Sequence, residues 1–195
     1  QYALFTPLFR NHSANGTRMQ ELYRFDTLHA AGEMVKIRYC LIPYLYSEFL
    51  KAALRDDMMF KPLAFDFPAD HMAKETEDQL LIGDELMIAP VYKQNARGRY
   101  VYLPEEMMLV RMQTWDQIHT EILPKGHHYV DIALEELVFF IRQQKAIPFG
   151  RPARNTDCID HSALQLLGYP DCTYELYADN GISPEPETSL SITTL

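Results

Sequence analysis

Three cysteines and one tryptophan in 195 residues leave little material for several kinds of chemistry. Cys40, Cys158 and Cys172 form no CxxC pair and no zinc-ligand spacing. An odd, sparse set reads as reduced thiols of a cytoplasmic protein rather than a disulfide framework. No G-x-G-x-x-G, P-loop, zinc motif or serine-triad pattern occurs. No stretch reads as a signal peptide or is apolar over the length that spans a bilayer. Positive charge is also short: 18 Lys and Arg stand against 27 Asp and Glu, a net charge of −9. That balance argues against nucleic acid or an anionic membrane as partner. No internal repeat or low-complexity tract appears.

What is present begins with an apolar run, residues 4–12, L-F-T-P-L-F-R-N-H. It has strand length and turns polar at Arg10-Asn11-His12. An apolar strand that delivers Arg and His at its C-terminal end is the layout of a (β/α) barrel, whose site lies above the strand ends. Residues 13–32 are polar, carry Gly16 and Gly32, and read as a long loop overhanging such a site. Residues 33–54 read as a helix, with Met34, Ile37, Leu41, Leu45 and Phe49 at spacings of three and four. Pro43 predicts a kink within it. Tyr39, Tyr44 and Tyr46 read as core residues of that helix rather than a sugar platform.

Residues 61–68, K-P-L-A-F-D-F-P, read as a second strand, which makes a βαβ unit and a parallel sheet. Asp70 offers the N-cap of a helix over 71–82 closed by Gly83. The period then changes. Runs at 86–92, 99–103, 109–115, 118–123, 128–133, 137–142 and 145–149 are short and strand-like, with turn signals between them. Their spacing predicts an antiparallel β-sandwich. Runs at 163–167 and 173–177 follow a Pro/Gly/Asp-rich break, and the tail from Ser183 on is expected to be poorly ordered.

Several acidic and histidine clusters have plain readings. Glu75, Glu77 and Asp78 at a helix start read as a solvated, dipole-favoured face. Adjacent His127 and His128 point apart and lack a third ligand, so no metal site is expected. Asp56-Asp57 reads as a helix-terminal loop, and Asp66 as a structural acid.

The linked motifs carry a family resemblance. In order they are R-N-H (10–12), I-R-Y-C-L-I-P-Y-L-Y (37–46), K-P-L-A-F-D-F-P (61–68), D-Q-L-L-I-G-D-E-L-M-I-A-P-V (78–91), R-G-R-Y-V-Y-L-P (97–104) and Y-E-L-Y-A-D-N-G (174–181). Together they resemble the C-terminal third of glycoside hydrolase family 31, nearest to its bacterial α-glucosidases, over residues 1–182. The resemblance implies the last two βα units of a (β/α)8 TIM barrel in residues 1–82. A proximal β-sandwich domain in 83–155 and a partial distal β segment with a disordered tail in 156–195 would follow. It implies a retaining α-glucosidase that hydrolyses terminal α-linked glucose from oligosaccharides, with no cofactor and no metal. Retention uses a nucleophile and a general acid/base. The family places both, as Asp residues, on earlier strands, so no catalytic residue is expected within this chain. The chain opens inside what already reads as structured sequence. The expected partners are therefore an α-glucoside or oligosaccharide and the missing N-terminal part of the same enzyme, and the chain alone is expected to be inactive.

By the same resemblance His12 is the substrate-binding residue, hydrogen-bonded to a hydroxyl of the sugar. Arg10 and Glu21 are expected to support the site, with Glu21 paired to Arg10 and pinning the loop, or else as a simple supporting ion pair. Where the family usually has Q-E-P-W this chain has Gln20-Glu21-Leu22-Tyr23, and where it has L-Y-E-D-D-G this chain has Leu176-Tyr177-Ala178-Asp179-Asn180-Gly181. The loss of two acids there favours a turn over calcium binding. The alternative function is a non-catalytic β-sandwich module that contacts the barrel or carbohydrate without chemistry.

Overall fold

A computed structural model describes residues 2–17, 20–25, 27–183 and 190–195. One long helix, α1 (Leu28–Arg55), lies against an antiparallel sheet. The helix buries Ile37, Cys40, Leu41, Tyr44, Leu45 and Glu48 at the three-and-four spacing of one face. Phe49, expected on that face, is instead half exposed. The helix starts five residues earlier than the sequence indicates, which shortens the loop before it. It stops at Asp56, whose left-handed backbone (φ 53°) lets its N–H bond the Ala52 carbonyl. Pro43 sits inside it and removes one backbone donor. Ser47 Oγ donates to the Pro43 carbonyl (2.7 Å) and accepts from the Tyr177 N–H (3.0 Å). The Cys40 carbonyl accepts from the Gly150 N–H (2.9 Å). The polar groups around the proline thus pin the helix to distant strands.

The strands are β1 (Phe60–Pro62), β2 (Leu80–Ile82), β3 (Leu86–Ile88), β4 (Gly98–Leu103), β5 (Met107–Thr114), β6 (Gln117–Leu123), β7 (Gly126–Asp131), β8 (Leu137–Arg142), β9 (Ala146–Phe149), β10 (Gln165–Gly168), β11 (Glu175–Ala178) and β12 (Ser191–Thr194). Six form one sheet in the order β1-β2-β3-β8-β5-β6, and three two-stranded pairs are β4-β7, β9-β10 and β11-β12. Alternation assigns the two faces. Leu137, Phe139 and Ile141 of β8 join the core under α1, while Val138 and Phe140 join a second core under the β4-β7 ribbon. The sheet is therefore covered on both faces, by a helix on one and a two-stranded ribbon on the other. It draws strands from both sides of Gly83.

Four expectations change. Residues 4–12 do not form a strand: Tyr2–Phe5 is a single 3-10 turn, and the chain then runs irregularly. Thr6 turns it, with both its N–H and its hydroxyl bonded to the Ala3 carbonyl, and Pro7 lacks the N–H a ladder needs. Residues 61–68 divide into β1 and a one-turn helix, α2 (Leu63–Asp66). Because β1 pairs antiparallel with β2, and every strand pair among the described residues is antiparallel, no βαβ unit or parallel sheet forms there. The Asp70 cap is as expected, accepting from Met72 N and Ala73 N, but its helix α3 (His71–Glu75) ends early. Gln79 competes with the helix: its side chain makes two 2.7 Å bonds to the Tyr102 backbone and aligns 80–82 as a strand. The tail is not wholly irregular, since Ser191–Thr194 pairs with β11, although residues 184–189 of it lie outside the described part.

Candidate functional site

The irregular segment after the first turn is held from both ends. Leu4 and Phe5 are buried, and Phe5 meets Phe139 edge to face at 5.9 Å. Burying each such side chain contributes about 1.5–3 kcal/mol. From α1, Arg38 reaches over. Its guanidinium donates to the carbonyls of Leu4 (2.5 Å), Pro7 (3.3 Å) and Ala3 (3.4 Å), and it lies 4.8 Å from the centre of the Phe9 ring. One side chain thereby satisfies three backbone acceptors and covers a phenyl face, which the planar fork of arginine suits better than lysine. Burial pulls the Arg38 guanidinium below its ordinary pKa.

Arg10, Asn11 and His12 follow at the exposed end of this clip. Arg10 Nη2 lies 2.8 Å from His12 Nδ1. Guanidinium groups only donate, so Nδ1 accepts and the ring proton sits on Nε2. That leaves Nε2–H as a donor facing away from Arg10. Asn11 Nδ2 donates to the Gln20 carbonyl (2.8 Å) and ties the two ends of the loop together. Glu21 does not pair with Arg10. Its carboxylate lies 3.7 Å from Arg24 Nε, three residues on. A partner at i+3 in the Leu22–Arg24 turn is local, whereas Arg10 is engaged by His12. Arg10 and His12 are thus brought together and Glu21 is not. Sequence reasoning missed Arg38. The only available signal was a cation between Ile37 and Tyr39, beside the buried face of a helix.

A second polar group is buried between α1, the β2–β3 turn and β11. Glu48 accepts from Tyr174 Oη (2.6 Å) and Lys51 Nζ (2.7 Å). Tyr44 donates to the Ile82 carbonyl and lies 3.3 Å from Glu85 Oε2. Burial, then repulsion from Glu48, pushes the Glu85 carboxyl up to about 7. Gly83 lets the turn approach: a Cβ there would stand 2.0 Å from Glu48 Oε2, and its φ is +62°. The cluster ties helix to sheet and has no opening of its own among the described cavities.

Asp66, Asp78, His127 and His128 are engaged structurally. Asp66 takes ion pairs from Arg142 (2.5 Å) and Lys61 (3.1 Å). Asp78 pairs with Arg99 at 2.6 Å. His127 packs 4.9 Å from the Tyr102 ring, while His128 Nε2 is 2.7 Å from the Pro124 carbonyl, so the two imidazoles diverge. Among the described residues no group of three potential ligands could hold a metal ion, and no helix is long and apolar enough to cross a membrane.

Residues 1–48 match the family model described as the glycosyl hydrolases family 31 TIM-barrel domain, and residues 56–147 the glycosyl hydrolase family 31 C-terminal domain. α-Glucosidase 2 of Bacillus thermoamyloliquefaciens is 32% identical, over 93% of this chain and 23% of its own length. The lysosomal α-glucosidase of Bos taurus is 29% identical, over 94% and 21%. Among solved structures, the α-xylosidase of Xanthomonas citri superposes with a TM-score of 0.81 at 24% identity, covering all of this chain and 21% of that one. The Flavobacterium johnsoniae dextranase complexed with isomaltotriose gives 0.79 at 22%, covering 99% and 24%. The chain therefore spans about a fifth of the length of the relatives it matches.

Proposed function

The chain belongs to glycoside hydrolase family 31, and on that premise we propose that the protein containing it is a retaining α-glucosidase. Its substrate is the terminal α-linked glucose of an oligosaccharide. Residues 1–48 contribute the end of the catalytic barrel, and His12 holds the sugar. The nucleophile and the acid/base are supplied from elsewhere in the whole protein, so the 195-residue chain alone does not turn over substrate.

The observation that carries this reading is the Arg10–His12 contact. It fixes a tautomer whose free Nε2–H is an outward donor, which is what a ring hydroxyl accepts. A hydroxyl bound by a single ring N–H costs little desolvation, and the bond can tighten as the glycosyl group gains positive charge and its hydroxyls polarise. Arg38 holds the segment that carries the pair, through the Leu4 and Pro7 carbonyls.

The test uses the full-length protein and a chromogenic aryl α-glucoside, with the released sugar followed by NMR. Turnover with first release of the α-anomer supports the reading. Release of the β-anomer refutes retention. Turnover by the isolated chain refutes the placement of both acids outside it. Absence of turnover in the full-length protein favours a non-catalytic module.

A further inference from the structure

The outer face of the β4-β7 ribbon carries a row of aromatic rings. Tyr100 and Tyr129 are cross-strand partners, 5.1 Å apart and edge to face, and remain 73% and 57% exposed. Two residues along each strand, Tyr102 and His127 pair at 4.9 Å; Tyr102 is buried in the second core, and His127 alone of the two extends the exposed face. The core under the ribbon is filled by Val101, Tyr102, Leu103 and Val130, which leaves the Tyr100 and Tyr129 rings outside it. Beside the row lie two clefts of about 280 and 370 Å³ that share Asp78, Tyr92, Arg99 and Tyr100. They adjoin through these four residues as a two-part groove, and each part lies near the lower end of the size range of small-molecule sites, roughly 300–1,000 Å³.

The groove is built. Arg99, its side chain only 10% exposed, pairs with Asp78 and donates to the carbonyls of Asp78 (3.1 Å) and Pro90 (2.9 Å). Tyr92, 65% exposed, donates to Asp78 Oδ2 at 3.1 Å. Gly98 keeps the floor low, since a Cβ there would meet the Val130 carbonyl at 2.3 Å and the Tyr129 hydroxyl at 3.0 Å.

The charges select the ligand class. Three acids, Glu75, Glu77 and Asp78, line the groove against two cations, Lys93 and Arg99, a balance that disfavours an anion. At Tyr92 a cation finds its place taken, because the Arg99 guanidinium already lies over that ring at 5.6 Å. The perpendicular Tyr100–Tyr129 pair does not form the box that encloses a quaternary ammonium. What remains is a neutral ligand with weakly positive C–H faces for the electron-rich rings and hydroxyls for the Tyr92 and Asp78 oxygens. We propose that this groove, apart from the His12 loop, is a surface binding site for a neutral oligosaccharide, with Tyr100 and Tyr129 as its stacking platform. Such a site would retain a polymeric substrate without taking part in chemistry.

The choice of α-linked sugars as first probes rests on the proposed function, so cellotriose is included beside maltotriose and isomaltotriose. The 15N-labelled chain is titrated with each sugar to millimolar concentration and followed by amide shifts. Saturating shifts at residues 92, 99–100 and 127–129 are expected, with affinity falling about three- to tenfold in Tyr100→Ala and in Tyr129→Ala. Tyr100→Phe keeps the ring and should keep binding, and the spectra of all variants report folding directly. Binding of cellotriose as well as the α-linked sugars supports the groove and counts against α-glucoside specificity. Absence of saturable shifts with all three sugars, shifts confined to the His12 loop, or binding unchanged in both alanine variants would overturn the proposal.

Discussion

Arg10 Nη2 stands 2.8 Å from His12 Nδ1, and this contact decides which ring nitrogen of the histidine can reach a ligand. A donor at Nδ1 forces the Nε2–H tautomer. Nitrogen-15 shifts of the His12 side chain should report a protonated Nε2 and a bare Nδ1 in neutral imidazole. In Arg10→Met the preference should relax toward a mixture. A Nδ1–H form in the unmutated protein would rule the contact out.

Arg38 is a positioning residue, bonded to the Leu4, Pro7 and Ala3 carbonyls. Arg38→Met frees these acceptors and should cost about 1–2 kcal/mol. Amide exchange across residues 3–9 is expected to rise while exchange in β5 and β8 stays as it was. Arg38→Lys should restore little of it, since one ammonium cannot span the three carbonyls. Equal acceleration in the sheet would mean a global loss of stability instead.

The buried Glu85 gives stability a pH dependence whose sign can be stated. Its carboxyl is raised from 4.5 to about 7 in the folded protein, by burial and then by Glu48. Between these values the folded state holds the proton that the unfolded chain has released, so stability is greatest below the unfolded value and falls as pH rises through the folded one. Asp70 lies outside this window. The hydrogen bonds from Lys125 and Tyr102 hold its carboxyl low, so its contribution disappears only as pH falls below the ordinary carboxylate range. Urea midpoints measured from about pH 5 to about pH 8 should decline, and Glu85→Gln should flatten the decline. A midpoint that rises over this range in the unmutated chain would refute the assignment.

Gly83 combines a left-handed backbone, φ +62°, with a position 2.0 Å from Glu48 Oε2 for any added Cβ. Gly83→Ala should cost at least about 1–2 kcal/mol from the backbone alone, and more from displacing Glu48. A melting temperature lowered by several degrees is expected. An unchanged value would show that the β2–β3 turn relaxes freely.

The legible parts were those fixed by local patterns. The α1 stripe, the Asp70 cap and most strands after Gly83 follow from spacing and turn residues. What failed depended on partners distant in sequence. Residues 4–12 have strand composition, yet a strand needs a ladder, and Thr6 and Pro7 settle the chain into a turn. Residues 80–82 continue a helical pattern, yet Gln79 docks on Tyr102, 23 positions away, and makes a strand of them. The site divides in the same way. The sequence singled out Arg10 and His12 but paired Arg10 with Glu21 rather than with His12, whereas Arg38 acts on carbonyls more than 30 residues before it and was signalled only by its place between Ile37 and Tyr39. Glu21, expected on Arg10, lies instead 3.7 Å from Arg24, three positions on.

The most direct test of His12 as the sugar-holding residue is the kinetics of His12→Ala in the full-length protein on an α-glucoside. Loss of one neutral hydrogen bond that strengthens in the transition state is worth about 1–2 kcal/mol, or roughly five- to thirtyfold in kcat/KM. The account predicts a fall of that size carried at least partly by kcat, with unchanged melting temperature, because the side chain is exposed. Kinetics indistinguishable from the unmutated enzyme would contradict it.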